Sequence, residues 1–187
     1  IIADKTANPA LCAADLLAQA EHDPSASVIL ITTSAELASQ VDGEIVGQLA
    51  KLKRRSIAAQ AIDAGMIVLV GRIDEAVELA NLFAPEHLSL MVSQASSLVS
   101  KIHNAGCIFV GESSPIVLGD YIAGPSHVLP TGGGARFSSP LTVTSFLKIS
   151  DVVALDETAM QELSQAAMVI ARAEGLDGHA QAVGKRL

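Results

Sequence analysis

Aromatic side chains are scarce here: 187 residues include no Trp, one Tyr and four Phe. That scarcity argues against an all-β surface binder, and the dominance of Ala, Val, Ile and Leu suits an α/β enzyme layer instead. Cations are also few. Twelve Lys and Arg stand against twenty Asp and Glu, for a formal charge of −8. Apart from the short KLKRR at 51–55 the basic residues are scattered, so no electrostatic footprint for nucleic acid is present. No run approaches the roughly 20 apolar residues that span a bilayer. The N-terminus also lacks the charged-then-apolar pattern of a signal peptide. These absences predict a cytoplasmic chain, or an organellar one after processing, with no nucleic-acid or membrane partner.

Cysteine is limited to Cys12 and Cys107, far apart in sequence. They form no CxxC pair, so they read as buried free thiols and not as a zinc knuckle or a disulfide framework. The first residue is Ile1 rather than Met, and IIAD opens as if in mid-strand, which suggests a fragment or a processed chain. A chain this long buries one good core and perhaps a small appendage.

What is present alternates. VILITT (28–33), MIVLVG (66–71), HLSLMV (87–92) and CIFVG (107–111) are β-rich runs separated by stretches of helical character. That alternation predicts an α/β domain with a mostly parallel sheet. Asn8-Pro9 reads as an N-cap followed by proline at the first helical position, predicting a helix from Pro9 to His22 that stops before Asp23-Pro24. On such a helix Asp15, Gln19 and His22 share one polar face. The segment 111–140 is crowded with Gly, Pro, Ser and Thr and reads as a long functional loop. From Asp156 a helix returns with Met160, Leu163, Ala167 and Ile170 as its apolar stripe and Gly175 as its stop. One helix cannot bury that stripe alone, so docking on the body or on a second subunit is expected.

The chemistry-bearing candidates are histidines with company. His22 follows Gln19 at helical spacing, and His87 follows Glu86. His127 shares the Gly-rich segment with Asp120, and His179 lies near Glu174 and Asp177. Imidazole, carboxylate and amide oxygen together suit zinc or a similar divalent ion, although spacing alone does not assemble them. Glu86 and His87, directly after Pro85, read either as a general acid/base pair or as a polar loop end at a sheet edge. There is no GxGxxG between a strand and a helix, and the GGG at 132–134 reads as a source of flexibility. A nucleophile elbow, a P-loop and an HExxH helix are missing too.

Several motifs then agree. APEHLSLMV, NAGCIFVG, GDYIAGPSHVLPTGGGARFSSP and AEGLDGHAQAV, in this order after IIADKTANP, strongly resemble the C-terminal part of the histidinol dehydrogenase family. The resemblance implies oxidation of L-histidinol to L-histidine through the aldehyde, the last steps of histidine biosynthesis, with two NAD and a bound zinc. It assigns Gln19, His22 and Asp120 as zinc ligands, with His179 as the last ligand, supplied across a homodimer that shares its active site. Glu86 and His87 become the catalytic pair, with His87 as proton shuttle and Glu86 as water activator. His127 and Glu174 become substrate-contacting residues, whereas His103 matches no functional position.

The resemblance covers less than half of a family member and omits the preceding region, which in the family holds the NAD-binding domain. The expected fold is therefore a partial doubly wound, Rossmann-like sheet over 1–140. A helical tail over 141–187, swapped between subunits, would follow. Such a chain is expected to be inactive alone. The alternatives are a non-catalytic fragment that binds zinc or its own copies, and a related amino-alcohol dehydrogenase.

Overall fold

The β-branched and Leu runs become short parallel strands, and the alanine-rich segments between them become the crossover helices. The computed structural model describes all residues, Ile1–Leu187. The strands are β1 (Ile2–Ala3), β2 (Ile29–Thr32), β3 (Met66–Leu69), β4 (His87–Met91) and β5 (Cys107–Val110). The helices are α1 (Pro9–Ala20), α2 (Ala35–Leu49), α3 (Arg55–Asp63), α4 (Ile73–Phe83), α5 (Ala95–Leu98), α6 (Ile116–Tyr121), α7 (Glu157–Ala173) and α8 (Asp177–Gly184). The chain divides into two compact units, Ile1–Ser145 and Phe146–Leu187.

In the first unit the sheet order is β3-β2-β1-β4-β5, and every pairing is parallel. This is the strand order of the doubly wound nucleotide-binding sheets, reversing direction at β1. Alternation along the strands serves two faces. Ala3, Leu30 and Met91 pack under α1, α2 and α3 with Cys12, Leu16 and Val41. Ile2, Ile31, Leu88 and Leu90 point the other way, against Val77 and Ala80 of α4 and Leu98 of α5. The β3 edge is thinly covered, since Met66 and Leu69 are each 57% exposed.

α1 begins as expected: Asn8 Oδ1 accepts from the Ala10 N–H at 2.9 Å, with Pro9 at the first helical position. It ends earlier than expected, at Ala20. Asp23 starts a tight turn by accepting from the Ser25 N–H at 2.8 Å, and Pro24 cannot extend a helix. His22 therefore sits in the turn after the helix, its N–H reaching the Gln19 carbonyl at 3.3 Å. A second difference lies in 111–140, which is not wholly irregular. α6 occupies Ile116–Tyr121, a short apolar turn that the surrounding Gly and Pro masked.

The second unit is an extended stretch followed by the α7–α8 hairpin. Asp156 caps α7 by accepting from the Ala159 N–H at 2.8 Å. Gly175 ends it at φ +74, with the Leu176 N–H on the Ala171 carbonyl and the Gly175 N–H on that of Arg172. That is a Schellman closure, and it requires the left-handed residue. The face α7 buries against α8 is not the expected stripe. Ser164 and Ala171 are buried, whereas Leu163 and Ile170 are 55% and 59% exposed. Ala167 and Ile170 of that stripe line the hollow shared with α8, but Leu163 and Ile170 stay more than half exposed within their unit.

Candidate active site

The reversal point of a doubly wound sheet lies at the carboxyl ends of the strands, where such folds hold nucleotides. Here that edge lacks the features that hold a dinucleotide. The first strand-to-helix turn, Asp4–Asn8, has no glycine to admit a pyrophosphate. Asp4 instead accepts hydrogen bonds from the Thr6 N–H and from both the Ser93 N–H (2.9 Å) and its hydroxyl (3.1 Å). Burial pushes its carboxyl up, but these hydrogen bonds outweigh that and hold it below the usual range. A carboxylate at this point repels a dinucleotide phosphate, so these residues do not fit NAD.

The large cleft lies on the opposite edge. About 1340 Å³ in volume, it opens at the amino ends of the strands and is lined by Gln19, His22, Glu86, His87, Asp120 and His127, among others. Ile1, just before β1, and Ile29 and His87, the first residues of β2 and β4, lie along its wall. Gln19 lies in the last turn of α1, whose carbonyl end carries partial negative charge. Asp15, Asp23, Glu86 and Asp120 add carboxylates to the same lining, against Arg136. The cleft thus favours a cationic occupant, a metal ion or an amine.

Local structure places the pair at 86–87. Ala84 ends α4 at φ +56, a left-handed conformation uncommon for a residue with a Cβ, with its N–H donating to the Ala80 carbonyl at 2.8 Å. This turns the chain through Pro85 so that Glu86 meets β5, its carbonyl accepting from the Cys107 N–H at 2.9 Å. Gly106 makes the approach possible, since a Cβ there would lie 2.6 Å from the Glu86 carbonyl oxygen and 3.1 Å from Pro130 Cδ. His87 opens β4, and its Nε2 lies 3.0 Å from Asp120 Oδ1 at the end of α6, with side chains only 11% and 17% exposed. The ring of Phe109 lies 5.9 Å from the imidazole, tilted 34° to it. A histidine oriented by a carboxylate and largely shielded from water is the arrangement a proton shuttle needs.

The glycines at 132–134 are not merely flexible. Gly132 and Gly133 take φ +58 and +80 and line the cleft, so the loop needs them for its shape. Arg136 follows, donating to the Gly133 carbonyl at 3.1 Å and to the Leu82 carbonyl at the end of α4. No sequence signal marked that tie.

Among the expected metal donors, Gln19, His22 and Asp120 share the cleft. No cluster of three or more His, Cys, Asp or Glu side chains with metal-holding geometry is present. The amide, imidazole and carboxylate nevertheless form a donor set that suits zinc. Asp15, one helical turn before Gln19, is 7% exposed and also lines the cleft, with Oδ2 lacking any partner. The expectation had placed it on the polar face without a role, and its burial is what singles it out. An orphaned carboxylate oxygen in the cleft wall further fits a cationic occupant. Glu174 and His179 belong to the second unit, where they line a separate hollow of about 590 Å³ between α7 and α8. His103 is exposed and bonds through its backbone N–H to Asn81. Both cysteines are free; Cys12 is buried with its thiol pushed up to about 11 by burial, and Cys107 is half-buried.

A sequence profile of the family described as "Histidinol dehydrogenase" matches residues 1–187. Histidinol dehydrogenase of Dehalococcoides mccartyi (strain CBDB1) is 51% identical over 188 residues, covering 100% of this chain and 43% of that protein. The Thermus thermophilus protein of the same name is 50% identical over 186 residues, covering 100% of this chain and 45% of its own length. A crystal structure of histidinol dehydrogenase from Elizabethkingia anophelis superposes at a TM-score of 0.92 and 38% identity, covering 99% of this chain and 43% of that one. The chain spans less than half the length of the curated relatives it matches.

Proposed function

This chain belongs to the histidinol dehydrogenase family, and from that premise we propose that it carries the substrate-holding and proton-transfer part of an enzyme that oxidises L-histidinol to L-histidine. The single observation that carries the reading is the cleft itself: Glu86 and the His87–Asp120 pair share it with Gln19, His22 and His127.

Two successive oxidations of one carbon set two demands on these side chains. The alcohol must lose its hydroxyl proton as hydride leaves the carbon, and His87 takes that proton as general base, the resulting imidazolium being stabilised by Asp120 at 3.0 Å. The aldehyde must then gain water before it can be oxidised again. Glu86, adjacent in sequence, removes a proton from that water so that its oxygen attacks the carbonyl carbon. As that oxygen attacks, protonated His87 gives its proton to the carbonyl oxygen, which completes the hydrate and restores the neutral imidazole that accepts the hydrate's proton in the second oxidation. His127 binds substrate at the cleft mouth, and Glu174 is its further contact in the whole protein.

Gln19, His22 and Asp120 would hold zinc, with His179 of a second copy completing the set. When bound, zinc would supply a template that orients the imidazole and amine of histidinol. NAD, two per turnover, would be held by parts of the whole protein other than these residues. A homodimer with a shared site is supported by the uncovered Leu163–Ile170 stripe and by Phe146, Ile149 and Val152, each more than three-quarters exposed.

The test is the step at which each variant of the whole enzyme stops. Glu86→Gln is expected to oxidise histidinol once and accumulate aldehyde, seen by trapping with a hydrazine. His87→Asn is expected to lose both oxidations, by about 10²- to 10⁴-fold in kcat. A Glu86→Gln enzyme that forms histidine at the wild-type rate would contradict the assignment.

A further inference from the structure

His87 is held from two sides, and only one of them is polar. Asp120 Oδ1 fixes the position of Nε2 at 3.0 Å, but a single hydrogen bond leaves the imidazole free to swing about that axis. The second restraint is Phe109 of β5, only 6% exposed, its ring centroid 5.9 Å from that of the imidazole. Phe109 is also closely bounded by Gly119. A Cβ added at Gly119 would lie 2.7 Å from Phe109 Cζ, so the ring fills a notch that a hydrogen atom alone leaves open. Gly119 is buried in α6 directly before Asp120. The backbone that carries the acceptor of His87 is thus the backbone against which the aromatic ring is wedged.

We propose that Phe109, seated in the Gly119 notch, is a positioning residue that fixes the plane of the His87 imidazole on Asp120. This rests on the reading of His87 as the proton shuttle. The requirement at Gly119 is for space and not for backbone freedom, since its φ is not positive. Proton transfer depends on the direction of the nitrogen lone pair, and small misplacements of a reacting group are costly in rate.

The experiment uses the whole enzyme as wild type, Phe109→Leu, Gly119→Ala and the double variant, with His87→Asn as a reference. Each is measured for kcat, KM for histidinol, Tm and the ¹⁵N shifts of the His87 ring. Phe109→Leu is expected to lower kcat by roughly 10- to 100-fold, with KM within about twofold and the ¹⁵N signals displaced. Gly119→Ala should lower both Tm and kcat, because its methyl group drives the ring from the notch. Leu in place of Phe109 makes room for that methyl group but offers no flat face, so the double variant should regain Tm and stay low in kcat. Recovery of kcat together with Tm would overturn the proposal, as would a Phe109→Leu enzyme with wild-type kcat and unchanged ¹⁵N shifts. Wild-type activity in His87→Asn would remove the proton-shuttle reading, leaving the ¹⁵N shifts to decide whether Phe109 holds the ring.

Discussion

Two single residues carry much of what distinguishes this cleft from an ordinary sheet edge. Asp15 is buried with one carboxylate oxygen unpartnered, and burial pushes its carboxyl above the usual range. A raised native pKa means the folded chain keeps a proton that the unfolded chain has released. Stability contributed by this group is therefore full below the ordinary Asp range and lost as pH rises through the raised native value. Asp15→Asn should remove that slope. In urea melts across acidic to neutral pH, the variant's stability relative to wild type should climb through this window and then level off; a pH-independent difference would contradict the assignment. Gly106 is the second case. Gly106→Ala sets a methyl group 2.6 Å from the Glu86 carbonyl oxygen, and backbone cannot yield as a flexible side chain does. A loss of about 1–3 kcal/mol in unfolding free energy is expected, along with a displaced Glu86 and a lower rate of aldehyde oxidation.

Among the elements, α1 links stability to the site because its capped start is far from the cleft and its end carries Gln19 and leads into His22. Asn8→Ala removes the acceptor for the Ala10 N–H and should cost about 1 kcal/mol. A thermal melt would show a Tm lower by a few degrees, with histidinol affinity nearly unchanged. An unchanged Tm would mean the cap contributes nothing. The start of α1 was legible because Asn-Pro is a local signal; its end was not, because the stop depends on the Asp23 turn. The strand runs at 28, 66, 87 and 107 were readable from composition, since parallel strands are short and continuously apolar, as is even the exposed edge strand β3. α6 was hidden because six residues, IVLGDY, are too few to show a helical period among the surrounding Gly and Pro. The pairing of His87 with Asp120 was beyond any spacing argument, since β4 and α6 meet only through the β4–β5 register. The role offered for each side chain came from the family resemblance, whereas their common cleft came from the fold.

For the whole molecule, the sheet has the strand order of a nucleotide-binding domain but its large cleft at the amino edge. Asp4 and Ser93 are hydrogen-bonded to each other at the carboxyl edge, while the end of α1 and several carboxylates line the amino edge. The first unit holds this cleft, and the second carries Glu174 and His179 with an exposed apolar stripe; under the proposed function the cleft would take a cationic amino alcohol. The most direct test is calorimetric titration of histidinol into the whole zinc-loaded protein, wild type beside His22→Ala. Saturable binding by the wild type that needs zinc, weakened at least tenfold in His22→Ala, is the expected result. Equal binding by the two proteins, or wild-type binding indifferent to zinc, would contradict the placement of substrate in this cleft.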